Sequence, residues 1–387
     1  MQKQPFRIAI PDAVLTDLQE RLARTRWPAD YANENWAYGA NRAYLQEVVE
    51  YWRHGYDWRK HEQEMNTFSN YKVTIDDVPI HFIHEPGKGP NPMPLILTHG
   101  WPWTYWDLRK VIRPLADPAS FGGDPADAFD VVVPSLPGFG FSTPLRKTGV
   151  NFWRTADLWV KLMQDVLGYK KFSAEGGDWG ALVTSQLGHA HAQHMIGTYL
   201  SLSVPLDFLT NGLSLDNSYT EDEQWAVARN AEARPTIGSH LAVQTSDPQT
   251  LAYRMHDSPV ALLAWIGERR RNWSDCDGQI ERRFSKDDLL TTIMLYWVTE
   301  SFVTSVRYYY EGAHQPWTPA HQRTPVVESP TGIGIFPREL LIPARKWAEQ
   351  YYNLTHWTVM PAGGHFAPAE EPEHLVTDIR AFFRTLH

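Results

Sequence analysis

The sequence predicts an α/β protein: an open, mostly parallel sheet with helices on both faces, broken by a helical lid insertion and preceded by a helical N-terminal extension. Three features predict it. From about Tyr71 onward, short apolar runs of strand length alternate with helical stretches, the pattern of strands joined by crossover helices. Between about Val204 and Trp317 the strand signal vanishes and the periodicity is helical. The first 70 residues are also mainly helical in period. The implied division is an extension over 1–70, a first core segment over 71–203, the lid over 204–317 and a last core segment over 318–387.

Taken in order, Phe6-Arg7-Ile8-Ala9-Ile10 alternates as a short strand does. Pro11 and Asp12 open a helix, with Asp12 placed to accept orphan amide hydrogens, and Val14, Leu15, Leu18 and Leu22 fall on one face. Pro28 stops that helix. Further helical stretches run from about Asn41 to His54 and over Trp58–Met65. Tyr71–Ile75 and Val78–His84 are strands flanking an Asp76-Asp77 hairpin turn. Buried-strand runs over Pro94–Thr98, Phe129–Pro134, Phe172–Glu175 and Met195–Ser203 are separated by helices near Tyr105–Leu115, Phe152–Leu167 and Ala181–His194. The lid reads as helices over Leu213–Ala233, Pro248–Met255, Pro259–Glu268, Lys286–Thr299 and Ser301–Tyr310. A strand over Gly332–Phe336, a helix over Arg338–Tyr352, a strand over Thr355–Pro361 and a helix over Glu371–Leu386 complete the core.

Composition excludes several classes. With 43% apolar and 21% charged residues over 387 positions, the chain is of globular rather than disordered type. A net charge of −9 disfavours nucleic acid as a partner, and the Arg269-Arg270-Arg271 run, flanked by Glu268 and Asp275, reads as a solvated face. The single cysteine, Cys276, excludes an intrachain disulfide and a Cys-rich zinc site. Its polar surroundings over 272–278 argue against a buried nucleophile. The apolar stretches fall well short of the roughly 18 residues of a membrane span, and the N-terminus lacks a secretion-signal profile, so a soluble cytoplasmic protein with no membrane partner is expected. Seventeen Trp, 17 Tyr and 16 Phe suit a pocket for an apolar organic ligand. No Walker or GxGxxG pattern occurs, so no nucleotide cofactor is implied. His189, His191 and His194 lack metal-ligand spacing and read as packing or surface residues.

The sharpest chemical signal is Gly176-Gly177-Asp178-Trp179-Gly180, directly after a strand and opening a helix. Small residues two positions either side of a central residue permit the strained strand-to-helix turn called the nucleophile elbow. Its central residue here is Asp178, a carboxylate already anionic at neutral pH, able to attack an sp³ carbon without a general base. The alternative is a glycine-rich turn in which Asp178 only caps the helix. His99-Gly100-Trp101-Pro102 ends the strand over Pro94–Thr98, so the backbone amides of Trp101 and Trp179 are candidates for an oxyanion hole. Leu136–Ser142 reads as an architectural turn. Pro361-Ala362-Gly363-Gly364-His365-Phe366 puts a histidine on a loop after the last strand, the natural base for activating water. Glu339, after the preceding strand, is placed to orient that histidine by triad logic, its alternative being a helix first turn. Glu370, Glu371 and Glu373 read as the start of the final helix.

With a helical extension, His99-Gly100-Trp101-Pro102, Gly176-Gly177-Asp178-Trp179-Gly180, a helical lid, Phe336-Pro337-Arg338-Glu339 and Gly363-Gly364-His365-Phe366 in this order, the whole chain resembles the microsomal-type epoxide hydrolases. The resemblance implies the α/β-hydrolase fold, no metal or organic cofactor, and an epoxide and water as small-molecule partners. It also implies that Asp178 forms an alkyl-enzyme ester, which water activated by His365 and Glu339 hydrolyses to a vicinal diol. Anchored members of the family carry an N-terminal transmembrane helix; this chain begins at the extension, as soluble bacterial members do.

The family also opens the ring with two lid tyrosines. One matches Tyr309, with Tyr308 and Tyr310 leaving the register open by one residue. The other position, counted from Asp257-Ser258-Pro259-Val260, falls on His240, a departure that implies a His240–Tyr309 pair, with Tyr253 as a substitute donor. A haloalkane-dehalogenase-like hydrolase, with Trp179 contacting halide, and a non-catalytic ligand-binding protein are the alternative readings. The substrate's identity and any homo-oligomer stay open.

Overall fold

The computed structural model describes residues 2–212 and 218–386. Strands β1 (Gln4–Pro5), β2 (Asn70–Ile75), β3 (Val78–Glu85), β4 (Met93–Thr98), β5 (Phe129–Pro134), β6 (Phe172–Gly176), β7 (Met195–Leu200), β8 (Val327–Ile335) and β9 (Tyr352–Val359) form one sheet in the order β1-β2-β3-β5-β4-β6-β7-β8-β9. Pairing is antiparallel as far as β3–β5 and parallel from β5 to β9. Asp76 and Asp77 both take positive φ in the β2–β3 turn, the geometry that matches a tight hairpin to strand twist. Leu95-Ile96-Leu97 and Val131-Val132-Val133 are fully buried, as strands covered on both faces must be.

Helices α1 (Asp12–Ala23), α2 (Arg42–His54) and α3 (Trp58–Met65) belong to the extension, and α4 (Arg109–Ala116), α5 (Phe152–Lys161) and α6 (Trp179–Ala190) alternate with strands. The insertion contains α7 (Phe208–Asn211), α8 (Gln224–Ser246), α9 (Pro248–Asp257), α10 (Pro259–Trp273), α11 (Lys286–Val298) and α12 (Phe302–Ala313). The chain closes with α13 (Arg345–Tyr351), α14 (Ala367–Glu370) and α15 (Pro372–Phe383). Helix α6 is buried from Trp179 to His189 and packs on β4, β6, β7 and β8. It sits so close to the sheet that a Cβ at Gly180 would overlap the Thr98 carbonyl. That position admits only glycine.

Several elements depart from expectation. Residues 6–10 keep the inward alternation, with Ile8 buried, but only the Phe6 amide bonds strand β2, at the Asn70 carbonyl, and the next two inward residues turn to side chains. Ile8 N–H donates to Asn66 Oδ1 at 2.9 Å and Ile10 N–H to Glu62 Oε1 at 2.7 Å. Asp12 is the first helical residue rather than the cap, and pairs with Arg59. Helix α1 ends at Ala23, well before Pro28. The helix expected from Arg338 begins only at Arg345: Pro343 offers no amide, and Ile342 bonds to Asn230 through both its N–H and its carbonyl. Residues 213–217 of the first expected lid helix lie outside the described residues, and α8 runs on to Ser246 through the stretch around His240.

Among the described residues no single helix is long and apolar enough to cross a membrane. Helices α11 and α12 reach that composition only as a pair bent by 83°, and α11 is buried from Leu289 to Trp297.

Candidate active site

Asp178 stands between β6 and α6 with φ 51° and ψ −124°, a region a non-glycine residue occupies only when its surroundings impose it. The turn lifts its carboxylate out of the sheet toward two loops. Trp101 N–H donates to Oδ1 at 2.7 Å, and Gly100 lies so close that a Cβ there would overlap the carboxyl group. Trp179 begins α6, where first-turn amides have no intrahelical acceptor. The Trp101 loop is held from behind by His99, whose Nδ1 bonds the Gly100 carbonyl at 2.9 Å and whose Nε2 accepts from Leu136 N–H at 3.0 Å. Burial lowers the His99 pKa to about 4, consistent with a neutral ring locked in one tautomer.

On the opposite side of the carboxylate, His365 Nε2 lies 3.4 Å from Asp178 Oδ2, and its Nδ1 donates to Glu339 Oε1 at 2.7 Å. His365 is 0% exposed and Glu339 2%. Glu339 sits in the turn after β8 rather than in a helix, and its Oε1 also accepts from Leu340 N–H at 2.6 Å. Burial pulls the His365 pKa down, but the Glu339 and Asp178 carboxylates outweigh it and raise the value to about 10. Both carboxylates thus favour the charged form of the ring over the neutral one.

Above these groups, the insertion supplies His240 and Tyr309. The His240 ring stacks on Trp101 at 5.4 Å between centroids and lies edge-on to Trp273 and Tyr309. Tyr309 packs edge-on against Trp179 at 4.6 Å and Trp101 at 5.9 Å. Burial, then the charges of Arg269 and His365, hold the His240 pKa well below the usual range. Burial and Asp178 hold the Tyr309 phenol well above its own. Both groups are thus neutral hydrogen-bond donors near neutrality. Tyr308 points elsewhere, bonding Thr155 Oγ1 at 2.7 Å, and Tyr310 is exposed and stacks on His314. Tyr253 is 73% exposed, which removes it as a substitute donor.

Other expectations need correction. Arg269 and Arg270 are buried, not solvated: Arg270 Nη2 bonds the buried Asp107 at 2.7 Å and reaches the Pro102 carbonyl, tying α10 to the Trp101 loop. The signal for this was present, since Leu263, Ile266, Arg270 and Trp273 share one buried helical stripe. Cys276 is buried despite its polar neighbours, its thiol donating to the Arg271 carbonyl. His189, by contrast, is the packing residue expected, bonding the Val326 carbonyl and Ala320 N–H. Glu370, read as a helix start, is buried against the His365 loop.

Residues 3–108 match the family described as epoxide hydrolase N terminus, and residues 93–325 match the alpha/beta hydrolase fold family. A Stigmatella aurantiaca protein assigned as an epoxide hydrolase is 42% identical over 384 residues, covering 99% of this chain and 85% of the relative. Epoxide hydrolase 1 of Oryctolagus cuniculus is 36% identical, covering 98% and 88%. The solved epoxide hydrolase of Aspergillus niger superposes with a TM-score of 0.85 at 26% identity, covering 100% of this chain and 97% of that one.

Proposed function

This chain belongs to the epoxide hydrolase family and has the α/β-hydrolase fold, and on that premise we propose that it converts an apolar epoxide to a vicinal diol through an ester on Asp178. The observation that carries the mechanism is the placement of the Asp178 carboxylate, with the Trp101 amide on one oxygen and the His365–Glu339 pair facing the other. In this reading Asp178 attacks a ring carbon, the carbon–oxygen bond breaks, and the departing oxygen takes a proton from the Tyr309 phenol while the His240 ring offers it a hydrogen bond. Such positioned donors act on charge as it develops.

Ester formation removes one of the two charges that keep His365 protonated. Its proton then returns to the lid donor, leaving a neutral imidazole when a base is needed. That base takes a proton from water as the hydroxide adds to the ester carbonyl, and the Trp101 and Trp179 amides hold the oxyanion. Collapse breaks the ester, the diol oxygen takes the proton of the new carboxylic acid, and Asp178 carboxylate and His365 imidazolium are restored. The aromatic walls of Trp101, Trp179, Trp273 and Tyr309 favour an apolar substrate. The division into extension (1–70), core (71–203 and 318–387) and lid (204–317) is part of the same reading.

The test is turnover of styrene oxide, 1,2-epoxyoctane and cyclohexene oxide in ¹⁸O-water, with mass analysis of the peptide containing Asp178. Diol together with label in that carboxylate is expected. Diol without label means that water attacks the epoxide directly. Halide release from haloalkanes without diol from any epoxide favours the dehalogenase alternative.

A further inference from the structure

Glu370 closes α14, five residues after His365, and its side chain is buried. Its two oxygens accept from two different parts of the chain. Oε1 takes Phe366 N–H, next to His365, at 2.9 Å, and Oε2 takes Asp275 N–H, just past the end of α10, at 2.7 Å. The same two segments meet again beside it: His365 N–H donates to the Trp273 carbonyl at 2.9 Å and Gly363 N–H to Asp275 Oδ2 at 3.0 Å. Arg283 fastens Asp275 from the far side, donating to its carbonyl at 2.6 Å and to Oδ2 at 2.7 Å. The backbone on both sides of the histidine is thus pinned to the insertion, and the Glu370 side chain bridges the two amides.

We infer that Glu370 is a positioning residue for the hydrolytic half of the reaction, holding the His365 loop in register with the end of α10. The inference rests on the reading of His365 as the water-activating base. Only a carboxylate satisfies this geometry, because each of its oxygens must accept from an N–H. An amide of the same shape presents one acceptor and one donor, so Glu370→Gln sets an N–H against an N–H and releases one of the two segments. Displacement of the loop moves His365 relative to the ester, and misplacement of a reacting group by about 1 Å costs on the order of 100-fold. Attack by Asp178 does not use the histidine as base and is spared.

The experiment compares wild type, Glu370→Gln and His365→Gln on whichever of the three epoxides above is turned over fastest, by steady-state kinetics and intact mass. For Glu370→Gln, kcat and KM are expected to fall together by roughly 10- to 100-fold with kcat/KM retained, and the ester on Asp178 to accumulate as it does in His365→Gln. Ester in His365→Gln alone, with Glu370→Gln behaving as wild type, overturns the inference and leaves the reading of His365 intact. A loss of kcat/KM in Glu370→Gln without ester also overturns it, since that marks general disruption. Absence of ester in His365→Gln rejects the reading of His365, and the inference with it. If Glu370→Gln does not fold, Glu370→Asp keeps the charge but is too short to span both amides, and the same outcomes decide.

Discussion

Glu339→Gln removes one charge from the site while preserving its shape. Glu339 Oε1 accepts from both His365 Nδ1 and Leu340 N–H, and an amide carbonyl can accept both, so the ring keeps its orientation. What is lost is the charge beside a fully buried imidazolium. Hydrogen bonds to charged groups contribute about 1.5–3 kcal/mol in mutational series, and 1.36 kcal/mol corresponds to a tenfold change in a proton equilibrium. The His365 pKa, about 10 in the wild type, is therefore expected at roughly 8–9 in the variant. Taken from the imidazolium that forms as water is deprotonated, the same free energy slows ester hydrolysis by about 10- to 150-fold. Imidazole ¹⁵N shifts recorded against pH, with the His365 signal assigned by its loss in His365→Gln, give the first number. Single-turnover decay of the ester gives the second. A pKa still at 10 or above, or ester decay at the wild-type rate, refutes the electrostatic account of this pair.

The raised pKa also ties stability to pH. The folded chain binds the His365 proton more tightly than the unfolded one, so this contribution is fully present below the ordinary value of 6.5 and is lost as pH rises through about 10; the fall in melting temperature across that window should be shallower in His365→Gln. Tyr309→Phe should slow ring opening by about 10²- to 10⁴-fold and spare hydrolysis of any ester already formed, as rapid-quench measurement of the two steps would show. Gly180→Ala should destabilise the fold by roughly 3 kcal/mol or more, because α6 must move off the Thr98 carbonyl, and a denaturant titration measures it. Arg270→Met leaves the Asp107 carboxylate buried without its charge partner, although it still accepts from Thr104 N–H at 2.9 Å, and should cost about 3–5 kcal/mol in the same titration.

Much of the fold is legible in the amino-acid order, and the reason is the range of the signals. Runs such as Leu95-Ile96-Leu97 and Val131-Val132-Val133 declare buried strands within a few residues, and the glycines around Asp178 declare a strained turn within five. Helix limits are less legible wherever a partner elsewhere in the chain decides them. Residues 6–10 alternate like a strand, yet Asn66 and Glu62 take the amides of Ile8 and Ile10. The start of α13 is postponed while Asn230, more than a hundred residues away, holds Ile342.

The candidate site divides along the same line. The alternation of strand and helix, the elbow around Asp178 and the loops that carry Trp101, Glu339 and His365 are legible in the chain, because each is written in a short stretch of it. Packing in three dimensions is what sets Tyr309, and not Tyr310 or Tyr253, against both Trp101 and Trp179. Packing likewise buries Arg270 on Asp107 and lets Glu370 fasten the histidine loop to the insertion. Those facts depend on groups brought together by packing across 95 to more than 160 residues of sequence. Whether a charge is solvated, paired or aimed at a reacting carboxylate is a property of its neighbours in space, and local periodicity carries no record of them.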